Sequence, residues 1–512
     1  MNEINFHHLV EQSLLEQHLQ RVFAEQDFID LHLPLSTFPL IQQGLPRDLD
    51  PSSASFLQVK TGFGDLNILK KRILDKPTLY QYRHNPILKD LSIVIVTYVV
   101  PGGFGDYFAQ SYLKKMLKQR FQGVDICSVI FIEKNYSQKV KNDEDEILYA
   151  FNAAEELKPQ YFNQRLKRLF KKACIVFEIP TPFPFKKELQ LLSSQASYMQ
   201  IGEYGFIQSA LYEPKSSSRC LGLHFLEYGL FIENASKISL ENFSNFEIST
   251  YLFSSKDPLS YLKSNDMYFS YLATHYGVIF YLYLVIYLSF YQDKIIDLLC
   301  IDIGPFLKVI ESEIERLKNL PIKTIEIFYK NNRSVLNLNS KGLHLRIIHT
   351  GHLNHKDFQI LLQASKEPVG IRGNLSLSEA IGMQKSFFYD PLRHNYPVYY
   401  ELLSLAKLHH EDVFLWIQLF KPTLEPHVAA QKGAALIRQN GFQKAFKNFL
   451  SYINTHLKAD EHLINIVCKE LTNNQNPGLR KKELKLTSLF IEEKISFLDF
   501  IKTLQKEMIK PS

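Results

Sequence analysis

Cysteine is scarce: five in 512 residues (Cys127, Cys174, Cys220, Cys300 and Cys468), widely separated and never as C-x-x-C. That spacing excludes a zinc ribbon, a thioredoxin motif and a disulfide-stapled scaffold. It predicts reduced thiols, most of them buried in apolar runs. A charge surplus is also missing from most of the chain. The formal net charge is +6, and residues 431–512 alone hold 14 Lys/Arg against 8 Asp/Glu. The first 430 residues are therefore neutral overall, so no nucleic-acid footprint is expected. A locally basic C-terminal tail is expected. Residues Met1–Leu9 lack the basic and apolar regions of a secretory signal, and a cytoplasmic location is the expectation. No clean membrane span is present either. Met267–Gln292 runs 26 residues without Asp, Glu, Lys or Arg, but carries seven tyrosines and His275 at internal positions. Tyrosine belongs at membrane interfaces, so the segment predicts a buried helix.

What is there points to large cores. Hydrophobic residues make up 46% and aromatics 13%, with 38 Phe and 27 Tyr. The run Leu91–Val100 is β-branched and apolar on both faces, as a central parallel strand requires. Pro101–Gly105 breaks it and a helix follows, with Leu113 and Leu117 on one side and Lys114, Lys115 and Lys118 on the other. Gly123 ends that helix, and Val124–Ile132 reads as a second strand. Strands are further expected at Cys174–Ile179 and Tyr198–Ile201. A second strand–helix series runs through Ile295–Ile303, Thr324–Tyr329, Leu343–Thr350, Pro368–Ile371 and Ser386–Tyr389. Two such series predict two α/β domains with parallel sheets. The expected divisions are an irregular or helical extension over 1–85, a domain over 86–265, a second over 266–430, and a basic helical tail over 431–512.

Glycine-rich loops mark candidate sites. Gly-Phe-Gly-Asp occurs at Gly62–Asp65 and at Gly103–Asp106, and the second copy follows the stronger strand. It is not the dinucleotide fingerprint, because Phe108 stands where that motif needs glycine. Asp106 enters the helix at the C-terminal end of the strand, where open α/β sheets bind ligands. A carboxylate there can take a proton from a hydroxyl or amide. It is also a favoured first-turn helix residue without any function. In the second series, Gly373 precedes Ser376 and Glu379, which have the S-x-x-E spacing of a capping box. Gly373 beside Arg372 would create an anion site at that helix N-terminus. His349, His352 and His355 have H-x-x-H-x-x-H spacing, but a strand-to-helix passage scatters them, so no metal site is expected. Asn354 is expected to cap the next helix.

The strand, glycine loop, S-x-x-E-A helix and following strand over 367–390 resemble the donor half of GT-B glycosyltransferases. Ile371–Ser376 is similar to the corresponding motif of bacterial protein-arginine rhamnosyltransferases, with Asn374 where that family has an acid. Gly105-Asp106 resembles the Gly-Asp pair of heptosyltransferases and those rhamnosyltransferases. The resemblance implies two Rossmann-like domains facing a cleft, an acceptor domain first and a donor domain second. It implies Asp106 as base, and a nucleotide-sugar held by Arg372, Gly373, Asn374, Ser376, Ser378 and Glu379, with Glu379 on the ribose. His349 and Gly351 are expected beside the donor, and Gly103, Gly105 and Glu203 beside an acceptor glycan, lipid or protein. The expected reaction is an inverting, metal-independent glycosyl transfer with no cofactor beyond the donor co-substrate. The alternative is a GT-B-like nucleotide-binding protein without catalysis, or a membrane-associated one. The tail cations Arg480, Lys481, Lys482 and Lys485 would then supply peripheral contact with anionic lipid.

Overall fold

A computed structural model describes residues 91–99, 105–137, 145–151, 163–180, 190, 196–202, 219–223, 228–233, 239–253, 258–290, 295–329, 332–351, 353–392, 395–475, 477–491 and 503. The extension over 1–85, the first Gly-Phe-Gly-Asp copy, Gly103, Glu203 and His352 lie outside these residues. The chain divides into two units. Residues 1–231 and 457–512 form the first, and 232–456 the second. The division thus falls near 231 rather than 265, and the tail splits at 456 rather than starting at 431. Local pairing explains the second difference. Leu230 and Lys458 form a parallel bridge, with Leu230 N–H donating to the Leu457 carbonyl at 2.8 Å and Ala459 N–H to the Leu230 carbonyl at 2.9 Å. Gly229 (φ +87°) is required there, since a Cβ would lie 2.3 Å from the Leu457 oxygen.

The first unit has a six-stranded, fully parallel sheet. Its strands are β1 (Ser92–Val99), β2 (Asp125–Glu133), β3 (Glu146–Phe151), β4 (Ile175–Glu178), β5 (Ser197–Gly202) and β6 (Arg219–Cys220), in the order β3-β2-β1-β4-β5-β6. This doubly wound order reverses between β1 and β4, so that edge is the topological switch point. Helices α1 (Gly105–Arg120), α2 (Lys134–Ser137) and α3 (Gln164–Lys172) belong to it. Val94, Val96, Val129, Phe131, Leu166, Phe170 and Val176 form one core beneath the sheet. Lys114, expected on the outer side of α1, is instead buried and paired with Glu146 at 3.0 Å. The apolar stem of lysine allows this only because a carboxylate meets its head.

The second unit carries strands β7 (Asn265–Ser270), β8 (Ile295–Cys300), β9 (Ile322–Tyr329), β10 (Asn332–Asn337), β11 (Leu343–His349), β12 (Val369–Ile371) and β13 (Phe387–Tyr389). The order is β10-β9-β11-β8-β7-β12-β13, parallel throughout except for β10, which forms a hairpin on β9. The helices are α4 (Phe246–Phe253), α5 (Pro258–Ser264), α6 (His275–Ser289), α7 (Gly304–Lys318), α8 (His355–Ala364), α9 (Asn374–Gly382), α10 (Tyr396–His409), α11 (Glu411–Gln418), α12 (Pro426–Ile437) and α13 (Phe442–His456). Helices α14 (Ala459–Gln475) and α15 (Pro477–Ile491) return to the first unit, where α14 packs on α1 and β4. The expected α/β class with two Rossmann-like units is present.

Over residues 267–290 the charge-free segment is a strand and a helix rather than one helix. Strand β7 takes its first residues, and α6 is buried through Gly277–Ile286. Its tyrosines suit a core because their hydroxyls find acceptors. Tyr281 donates to the Phe269 and Pro368 carbonyls, Tyr276 to the Leu419 carbonyl, and Tyr283 to Glu313. Among the described residues no helix is long and apolar enough to cross a membrane.

Candidate active site

In the second unit the strand order reverses between β7 and β12, and the loops leaving these strands diverge there. Three strand ends deliver the site. Tyr271 N–H donates to the Gly370 carbonyl and Asp390 N–H to the Ile371 carbonyl, each at 2.8 Å. Tyr271, Arg372 and Asp390 therefore emerge side by side at one sheet edge. The Arg372 guanidinium lies over the Tyr271 ring, 4.3 Å from its centroid.

Helix α9 begins at Asn374, one residue beyond the Arg372-Gly373 turn. Its N-cap is Gly373 at φ +78°, and no side chain caps the helix. The expected capping box is therefore not formed. Ser376 sits inside the first turn and turns its hydroxyl back onto the Arg372 and Gly373 carbonyls. The first N–H groups of α9 are left to whatever occupies the space beyond them. A Cβ at Gly373 would meet nothing within 4 Å. Asn374 Oδ1 is buried without a hydrogen-bond partner. An acceptor in that state needs a donor from elsewhere, such as a ligand hydroxyl or N–H. Ser378 is buried on the same helix.

Glu379 is not a cap either. His355 Nε2 lies 2.5 Å from its Oε1, and Gln359 Nε2 donates to the same oxygen at 3.1 Å. Helix α8 thus fixes this carboxylate. The predicted cap of α8 is present, with Asn354 Oδ1 accepting from Asp357 N–H at 2.9 Å.

Sequence reasoning misses Asp390 as a site residue, although it directly follows the strand read at Ser386–Tyr389. Its Oδ2 accepts from Ala273 and Thr274 N–H, both at 2.8 Å, and its Oδ1 from the Thr274 hydroxyl at 2.5 Å. Thr274 in turn caps α6 by accepting from Gly277 N–H at 2.9 Å. Gly277 allows this approach, since a Cβ would lie 2.5 Å from Asp390 Oδ1. Burial pushes the Asp390 carboxyl above its ordinary value of 3.8, against its hydrogen bonds and the nearby Arg372 charge. The folded state then binds the proton more tightly than the unfolded chain. Its contribution to stability is full below 3.8 and is lost as pH rises through the raised value. The difference in unfolding free energy between wild type and Asp390→Asn should shift in that sense across acid pH. A pH-independent difference in denaturant melts would contradict this.

The predicted donor residues are only partly brought together. Arg372, Gly373, Asn374, Ser376, Ser378 and Glu379 share one loop and helix. His349 ends β11 and Gly351 follows it, and β8 and β7 separate that strand from β12, a spacing of about 14 Å across the sheet. His349 instead packs on the Tyr329 ring, with centroids 5.0 Å apart. Asp106 lies in the first unit, buried in the first turn of α1, and Gly105 starts that helix. Among the described residues no group of three or more His, Cys, Asp and Glu side chains converges as a metal site would.

No protein-family model matches the chain, and no relative was found among curated proteins. Solved structures do align with it. A glycosyltransferase from Rickettsia africae aligns at 12% identity, covering 75% of this chain and 99% of its own, with a TM-score of 0.41. Glycosyltransferase VinC in complex with dTDP aligns at 8% identity over 75% of this chain and 100% of its own, with a TM-score of 0.39. The N-terminal domain of a trehalose-6-phosphate phosphatase from Candida albicans aligns at 9% identity over 76% and 98%, with a TM-score of 0.38. Likeness at this level decides no activity, so function must be argued from the site.

Proposed function

We propose that the protein is a glycosyltransferase of GT-B type, with the diphosphate of a nucleotide-sugar resting on the N-terminus of α9. The observation that carries this is the uncapped start of α9 at the switch point, with open space at Gly373 and Arg372 alongside. Backbone N–H groups and a guanidinium are suited to a diphosphate leaving group. Glu379, fixed by His355 and Gln359, is the proposed ribose acceptor. Asp106 of the first unit is the proposed base. It takes the acceptor's proton as the acceptor attacks the anomeric carbon. The bond from that carbon to the diphosphate oxygen breaks, and the configuration inverts.

A thermal-shift panel of UDP-, GDP-, ADP- and dTDP-sugars tests this reading. A ligand at 100 times its dissociation constant adds about 2.7 kcal/mol. One nucleotide class should raise the melting temperature and the others should not. A flat panel would count against the donor site. A bound nucleotide-sugar without turnover on any acceptor would favour the non-catalytic reading, which the amide at Asn374 in place of an acid supports. Glu379→Ala should weaken donor binding by about 1.5–3 kcal/mol, the scale of a hydrogen bond to a charged group. Since the change also removes a partner of His355 and Gln359, melting is measured alongside affinity by calorimetry. Lost stability with unchanged affinity would assign Glu379 a structural role only.

A further inference from the structure

Helix α3 in the first unit is cationic in a way that neither the fold nor the proposed transfer reaction uses. Between Glu156 and Glu178 the chain has six Lys/Arg and no acid. Five of them, Arg165, Lys167, Arg168, Lys171 and Lys172, lie on this nine-residue helix, and all five are exposed. None makes an ion pair among the described residues, whereas Lys114, Lys118 and Lys318 elsewhere are paired with acids. At 100° per residue the five span an arc of roughly 160°. The opposite side carries Leu166 and Phe170, both at 0% exposure within the core beneath the sheet. Asn163 caps the helix, its Oδ1 accepting from Leu166 N–H at 3.0 Å. The cations are thus displayed outward on a rigid, anchored helix about 13 Å long.

We propose that α3 docks the protein onto an anionic lipid surface. Five like charges that pair with no acid among the described residues favour a polyanionic partner. A convex single helix suits a flat array of headgroups, whereas single-stranded nucleic acid needs a groove with exposed rings for stacking. The helix has one ring, Phe170, and it is buried. The wider chain also lacks a nucleic-acid charge balance, since residues 1–430 are neutral overall. Helix α15 of the same unit adds exposed Lys481, Lys482 and Lys485 beside Leu484, which is 63% exposed. That pairing of cations with an exposed apolar side chain suits an interfacial contact. Helix α3 is the principal element, because it carries more unpaired charge on fewer residues.

Flotation of the full chain with phosphatidylcholine vesicles, with and without phosphatidylserine, tests the proposal. The chain should float only with the anionic vesicles and should be released by salt. Lys167→Glu with Arg168→Glu and Lys171→Glu should lower partitioning by roughly 100-fold or more, at about five-fold per charge removed. Lys481→Glu with Lys482→Glu and Lys485→Glu should retain most binding. Should the α3 triple variant melt early, Lys171→Gln with Lys172→Gln gives the same readout, with a loss of roughly 25-fold. The proposal is overturned if the wild type does not float, if the α3 variants float like wild type, or if only the α15 variant loses binding. It is equally overturned if a single-stranded RNA oligonucleotide binds through the α3 cations and anionic vesicles do not.

Discussion

Replacing Asp106 by Asn should lower turnover by roughly 10²–10⁴, the scale of general-base catalysis, while leaving donor affinity unchanged. The amide keeps the size of the side chain and its place in the first turn of α1, but cannot accept the acceptor's proton. Asp106 is buried, at 7% exposure, beside the β1 edge where the first sheet reverses direction. A first-turn carboxylate that served only the helix dipole would contribute about 0.3–1 kcal/mol to stability and nothing to rate. The two roles therefore separate in a paired measurement of kcat and melting temperature. Asp65→Asn is the control, because it carries the same Gly-Phe-Gly-Asp string and should leave turnover intact. A carboxylate base works only when ionised, so the wild-type rate should fall on acidification and the Asp106→Asn variant should lack that limb. Equal loss of melting temperature and rate, or an unchanged rate, would remove Asp106 from the reaction.

The second large effect is expected at Asp390. Asp390→Ala removes the acceptor for two backbone N–H groups and one hydroxyl in a buried place. Stranded buried donors cost about 1–3 kcal/mol each, with partial relief from water. The Thr274 hydroxyl also loses the partner that orients it as the α6 cap, a contribution of about 1 kcal/mol. A total of about 4 kcal/mol is expected, read as a lower unfolding midpoint in denaturant. The loop Tyr271–Thr274 should loosen with it, and Arg372 should lose its platform on Tyr271, so donor affinity falls as well. Gly277→Ala should reproduce part of the effect by pushing the Asp390 carboxylate off the loop. If Asp390→Ala melts like wild type, the carboxylate is not what holds the loop.

The strands with long apolar runs were legible in the sequence because burial on both faces leaves few polar positions. Ser92–Val99 and Ile295–Cys300 are the clearest cases, and the one charge in the second, Asp297, is buried against Arg346 at 2.5 Å. Strand β7 was hidden. Its sequence, Asn-Asp-Met-Tyr-Phe-Ser, merges into the charge-free helix behind it, and periodicity cannot part a buried strand from a buried helix. Strand β10 was missed because its residues are mostly exposed and polar, as befits an edge. The loop proposed to hold the diphosphate was visible through Gly373 and Arg372, since a glycine at positive φ before a helix leaves a local trace. The spacing of Ser376 and Glu379 misled for a physical reason. The helix starts three residues earlier than a capping box would place it, with Gly373 rather than Ser376 at the N-cap, so Ser376 bonds backward and Glu379 reaches a different helix. That second contact spans 24 residues and depends on tertiary packing, which no local pattern encodes. The hold of Asp390 on Thr274, more than 100 residues away in sequence, is of the same kind.

The central claim is that the α9 N-terminus holds a nucleotide diphosphate. Titration calorimetry of the nucleotide-sugar selected by the thermal-shift panel, into wild type and Gly373→Ala, tests it most directly. The folded protein has room for the added methyl, but φ +78° with ψ 162° is a conformation that only glycine adopts readily, so the change costs about 1–3 kcal/mol of stability. A diphosphate seated on the helix would meet that methyl. The predicted result is saturable binding to wild type and at least about ten-fold weaker binding to Gly373→Ala, at a temperature where both remain folded. Equal affinity for the two proteins would contradict the claim.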